Sequence, residues 1–120
     1  MLFTNIYLKR GIALAIEFNN EYISIVMEAN LSAPEEIKSF AEDSDEACNI
    51  RMPVVVLDMK NVKEINSAGI AKILKLYKNL QSLKVKLFMT NLDDSIKPTL
   101  KSLMMFSLIK YFDDPKDFSI

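Results

Sequence analysis

The stretch Val54-Val55-Val56-Leu57-Asp58-Met59-Lys60-Asn61-Val62-Lys63-Glu64-Ile65-Asn66-Ser67-Ala68-Gly69-Ile70 decides the fold. It opens on Pro53–Leu57, an apolar run closed by Asp58, which is how a strand buried on both faces reads. A polar loop, Lys60–Glu64, leads to Asn66 and Ser67, both good helix N-caps. From Ser67 to Leu83 the apolar residues Ile70, Ile73, Leu74, Tyr77 and Leu80 make one helical stripe, with Lys72, Lys75, Asn79 and Ser82 opposite. Gly69 falls in the first turn of that helix, where glycine costs roughly 1 kcal/mol relative to alanine. Something must offset the cost, such as close backbone packing or room for an incoming surface. The helix start also offers free N–H groups, so Asn66 and Ser67 either cap the helix and no more, or form part of a site.

Working outward, Lys84–Met89 alternates Val85, Leu87 and Met89 with Lys84, Lys86 and Phe88, and reads as the next strand. Asp93–Met105 reads as a helix with Ile96, Leu100, Leu103 and Met104 inward, although Pro98 must sit in its first turns or kink it. Ile109–Phe112 suggests a last short strand, and the tail from Asp113 is expected to fold back over an edge or a helix. In the other direction, Ser32 followed by Glu35 gives a capping-box pattern with Pro34 in the first turn. A helix is expected over about Ala33–Asp45 with Ile37, Phe40 and Ala41 inward and an acidic, solvated end at Glu42–Glu46. Before it, Ile12–Phe18 and Glu21–Met27 read as two strands around the turn signal Asn19-Asn20, with Ile6–Leu8 as a short edge strand. The expected architecture is a single α/β domain over residues 1–120. It has a mixed sheet of four to five strands and three to four helices, the alternating second half implying parallel crossovers.

Composition narrows the function. Half of the 120 residues are apolar and the net charge is −1, so one core can be filled and no basic footprint for nucleic acid appears. No apolar run approaches about 18–20 residues, so no membrane insertion is expected. The beginning, Met1–Asn5, reads as mature sequence rather than a signal peptide, and Cys48 has no second cysteine to pair with, which points to the cytoplasm. The absence of histidine removes the commonest general base and metal ligand, and no cofactor or metal is expected. Two glycines cannot build a glycine-rich phosphate loop. The residues that remain for an enzyme, Asp58, Ser67, Thr90, Asp93 and Asp94, lack an evident base partner.

Asp58-Met59-Lys60-Asn61-Val62 and Ile65-Asn66-Ser67-Ala68-Gly69 together resemble the signature of STAS domains, found in bacterial anti-sigma factor antagonists. That signature is an apolar strand, Asp-Leu-Ser-x-Val, an apolar residue, Asp-Ser-Ser-Gly and an apolar helix. Asn91-Leu92 resembles the loop before the family's third helix. Met27–Ser32 resembles a Leu-x-Gly-x-Leu-Asp loop, with Ala29 and Ser32 in place of Gly and Asp. The likeness runs over about residues 12–112. It implies a protein-binding module, not an enzyme, in which the serine beside the glycine is phosphorylated by a kinase that is also the anti-sigma factor. That position is Ala68 here, which has no hydroxyl, so the usual phosphoserine switch is absent. Ser67 is the alternative acceptor, though about 100° away around the helix.

The implied partner surface is Asn66, Ser67, Ala68 and Gly69 with Asn30 and Ser32 beside them, and Lys72 and Lys75 either meet an acidic partner or are a solvated face. The implied partner is an anti-sigma factor, a kinase-like protein or another signalling protein. The runner-up is a STAS-type scaffold or nucleotide-binding subunit outside sigma-factor control. Met104, Met105, Phe106 and Leu108 are expected to be core, and in an exposed arrangement they would support a homodimer.

Overall fold

The computed structural model describes residues 8–9, 12–13, 16–18, 22–27 and 30–113. Strands β1 (Leu8–Lys9) and β2 (Ile12–Ala13) form a small antiparallel ribbon. The main sheet holds β3 (Ile16–Phe18), β4 (Ile23–Val26), β5 (Val54–Asp58), β6 (Lys86–Thr90) and β7 (Lys110–Phe112), in that spatial order. Only the β3–β4 pair is antiparallel, with Ile16 opposite Ile25. The remaining four strands run parallel through crossovers containing α1 (Pro34–Ile50), α2 (Ser67–Ser82) and α3 (Lys97–Ser102). The expected mixed α/β sheet is therefore present, with five strands and three α-helices among the described residues.

Period two along the strands divides the core in two. Ile23, Ile25, Val55, Leu57, Leu87 and Met89 face the helices and pack with Phe40, Ile73, Leu76, Leu80 and Leu100. On the opposite face Val54, Val56 and Phe88 form a smaller cluster, with Tyr22 and Phe112 against it. Four consecutive residues of β5, Val54 to Leu57, are thus buried, alternately on each face, as its unbroken apolar run implied.

Several expectations need correction. The stretch Ile12–Phe18 is not one strand: Ile12–Ala13 pairs with β1 and Ile16–Phe18 with β4. Of the expected edge strand Ile6–Leu8, Leu8 is in β1. Ile6, Tyr7, the Asn19-Asn20 turn, Ala29 and residues 114–120 lie outside the described residues.

Helix α1 runs five residues past Asp45, ending at Ile50 with Arg51 in the left-handed region at φ 67°. Asp43, Ser44 and Glu46 are consequently mid-helix and buried rather than a solvated end. The sequence placed these acids at the unfavourable end of the dipole, and the longer helix removes that conflict. Its capping acid is Glu36, not Glu35: Glu36 Oε1 accepts from the Ala33 and Ser32 amides at 2.9 and 3.2 Å.

Helix α3 is only Lys97–Ser102, with Pro98 in its first turn, where the missing N–H costs nothing. Met104 then turns to φ 61°, which leaves Leu103, Met104 and Leu108 exposed. Met105 is buried and Phe106 packs on the core. The expectation that the whole Met104–Leu108 cluster is core therefore fails at Met104 and Leu108.

Candidate functional site

Parallel strands deliver their following loops to one edge of a sheet. Here the loops after β4, β5 and β6 meet there and are tied together mainly by asparagine side chains. Asn30 Oδ1 accepts from the Lys63 and Glu64 amides at 2.7 and 3.0 Å. Asn61 Nδ2 donates to the Met27 carbonyl at 2.9 Å. Asn66 donates through Nδ2 to the Ser32 carbonyl at 2.9 Å, and its Oδ1 accepts from the Gly69 amide at 2.9 Å as the N-cap of α2. The backbone adds a parallel bridge between Leu31 and Ile65, with Leu31 N–H donating to Glu64 and Asn66 N–H donating to Leu31.

Gly69 explains itself in this setting. A β-carbon there would collide with the Leu31 carbonyl oxygen and press on Leu31 Cβ at 3.0 Å and Ile65 Cγ1 at 3.2 Å. The residue is buried, so it sets the approach of the loop and offers no surface to a partner, contrary to its expected membership of the docking face. Asn30 and Asn66 likewise have their side chains engaged within the corner. Ser67 and Ala68 are the exposed residues at its tip, with Ser32 half-buried beside them.

Lys72 and Lys75 sit one and two turns further along α2. They line a small crevice against α1 with Ala41, Ser44, Asp45 and Asn79. Lys75 is exposed and Lys72 half-buried, so the pair is not simply a solvated face.

The third loop is held by charge. The Lys63 ammonium lies 2.6 Å from Asp93 Oδ1. The Ser95 amide donates to Asp93 Oδ2 at 2.9 Å, and the Ser95 hydroxyl lies against the same oxygen. Lys63 foremost, then the Ser95 hydroxyl and amide, hold the Asp93 carboxyl well below the usual carboxylate range. Asp58 accepts from the Lys60 amide and from Asn91 Nδ2, both at 3.1 Å. Asp94 faces Lys97 at 3.5 Å. Thr90 is buried with its hydroxyl unpartnered. The carboxylates considered for catalysis are thus engaged in holding loops, and none is paired with a base.

Among the described residues no group of three or more His, Cys, Asp or Glu side chains is placed to hold a metal ion. No helix among them is long and apolar enough to cross a membrane. Sequence reasoning missed Asn61, the Asn91–Asp58 contact and the Lys63–Asp93–Ser95 bracket. The signal available was an Asp two residues before its own turn amide, at Asp58/Lys60 and Asp93/Ser95.

A family model described as STAS domain matches residues 10–118. No curated protein matches the sequence. The crystal structure of TM1081 from Thermotoga maritima, proposed to be an anti-sigma factor antagonist, superposes with a TM-score of 0.78 at 15% identity, covering 87% of this chain and 89% of that one. The anti-sigma factor antagonist SpoIIAA in its unphosphorylated form gives 0.66 at 14% identity, over 88% of this chain and 92% of its own. Phosphorylated SpoIIAA, a Bacillus cell fate determinant, gives 0.65 at 10% identity, over 87% and 95%. At these identities the likeness concerns the fold.

Proposed function

This chain belongs to the STAS domain family, and from that premise we propose that it is a cytoplasmic, non-enzymatic protein-binding module of the anti-sigma-factor-antagonist kind whose docking is not gated by phosphorylation. The observation that carries the reading is Ala68, exposed at the tip of the braced corner where the family's motif has its phosphoacceptor serine. SpoIIAA, of the same fold, exists in phosphorylated and unphosphorylated forms. A phosphate adds roughly −1.5 to −2 charges, enough to disrupt an interface built around a helix start. A methyl group at that position leaves the docking face permanently in its uncharged state. Ser67, Ala68 and Ser32 form the face, and Lys72 and Lys75 extend it along α2. The partner is an anti-sigma factor or a related kinase-like signalling protein.

Affinity capture from the native cell tests this, comparing the wild-type chain with Ala68→Asp. The expected result is an ATP-binding, kinase-like protein on the wild type and its loss on Ala68→Asp, whose carboxylate imitates the missing charge. An unchanged set of captured proteins, or a phosphate found on Ser67 that tracks with release, would overturn the reading.

A further inference from the structure

We propose a second docking site at the opposite side of the molecule, a notch beside the β7 edge that accepts a large apolar side chain from an acidic segment of a partner protein. It is separate from the corner around Ala68 and does not depend on that assignment.

The notch arises from strand lengths. β7 is three residues long and pairs with Phe88–Thr90, which leaves Lys86 and Leu87 of β6 without a β7 partner. Beside them lies a cavity of about 300 Å³ lined by Tyr77 and Gln81 of α2, Val85–Phe88, Leu108, Lys110 and Phe112. That is the low end of the size range of ligand pockets. Its wall is largely apolar, and Phe88 and Phe112 meet edge to face at 5.3 Å. Leu108, 47% exposed, forms part of the lip.

Charge selects the occupant. The charged residues lining the cavity are Lys86 and Lys110, both exposed, and no carboxylate lines it. Neither lysine has an ion-pair partner among the described residues. A second copy would need to bring carboxylates flanking an apolar residue, which the lysine-rimmed notch itself cannot supply in a self-complementary contact. No further strand lies beyond β7 among the described residues, so an extended segment has an open sheet edge to run along. Together these features select an acidic, extended peptide with one central aromatic or aliphatic anchor.

The test uses a fluorescein-labelled peptide of sequence EDVFVDE titrated with the full chain, and amide NMR shifts to locate it. Saturable micromolar binding is expected, with shifts at Leu87, Leu108 and Lys110. Weakening of roughly tenfold is expected for Leu108→Glu and for Lys110→Glu, equivalent to about 1.4 kcal/mol. Raising salt from about 0.05 to about 0.5 M should weaken binding too. Lys110→Glu is a fully surface change, so it reads the site even if Leu108→Glu fails to fold. Ala68→Asp should leave this binding unchanged, which separates it from the corner. Absence of saturation, equal binding of the basic peptide KKVFVKK, or shifts confined to the corner would overturn the proposal. So would a concentration-dependent dimer that Lys110→Glu disperses while the peptide stays unbound.

Discussion

A β-carbon on residue 69 would occupy space already filled by the Leu31 backbone. Ordinary helix propensity favours Gly→Ala by roughly 1 kcal/mol. Forcing an extra carbon into packed structure costs about 1–3 kcal/mol. Gly69→Ala should therefore destabilise, or at best break even, where propensity alone forecasts a gain; urea unfolding reads the sign directly. Asn66 gives a ranked pair. Asn66→Ala loses the cap on Gly69 and the bond to Ser32, and should cost about 0.5–2 kcal/mol. Asn66→Asp keeps the acceptor at a favourable end of the helix dipole and loses only the Nδ2 donor, so its midpoint should lie between those of Asn66→Ala and the wild type. Cys48 supplies a chemical check. Burial, helped by Asp45 and opposed by Arg51, pushes its thiol up. Alkylation by iodoacetamide at pH 8 should be slower than for a free cysteine, because the thiolate is the nucleophile.

Elements differ in how plainly the sequence announces them. β5 and α2 are legible because one is an unbroken apolar run and the other a clean 3.6-residue stripe. The far half of α1 is not, because its buried positions Asp43, Ser44 and Glu46 are polar and break the apolar period. The loop braces are invisible for a different reason. The bonds from Asn30, Asn61, Asn66 and Asn91 span 33 or 34 residues, and such separations leave no local spacing to read. α3 illustrates the cost of a terminator. Met104 holds a left-handed conformation that costs a non-glycine residue roughly 1–2 kcal/mol, so Met104→Gly should hold or raise the unfolding midpoint despite glycine's greater chain entropy. The Lys63–Asp93–Ser95 bracket makes the loop after β6 sensitive to acid in a defined direction. The folded Asp93 pKa lies below its ordinary value of 3.8, so the bracket's contribution is complete above that value and is lost only as pH falls through the depressed one. In a carboxyl-carbon NMR titration Asp93 should stay ionised through the range where free aspartate protonates; a midpoint at 3.8 or higher would contradict the bracket.

For the whole molecule, stability is expected to be graded outward from β5. That strand has parallel neighbours on both sides and four consecutive residues buried. Its amides should be the slowest to exchange with deuterium, with β7 and the 3₁₀ turn at Met105–Ser107 opening first. The sheet class was readable because the alternation of helix and strand after residue 33 demands parallel crossovers. The division of Ile12–Phe18 between a ribbon and a sheet was not, because both halves carry the same apolar character. The stitching of three loops by asparagine amides has a thermodynamic corollary. A visitor finds the contour it will keep, so little disorder is surrendered on contact. Association should then follow one kinetic phase, free of a slow rearrangement after encounter.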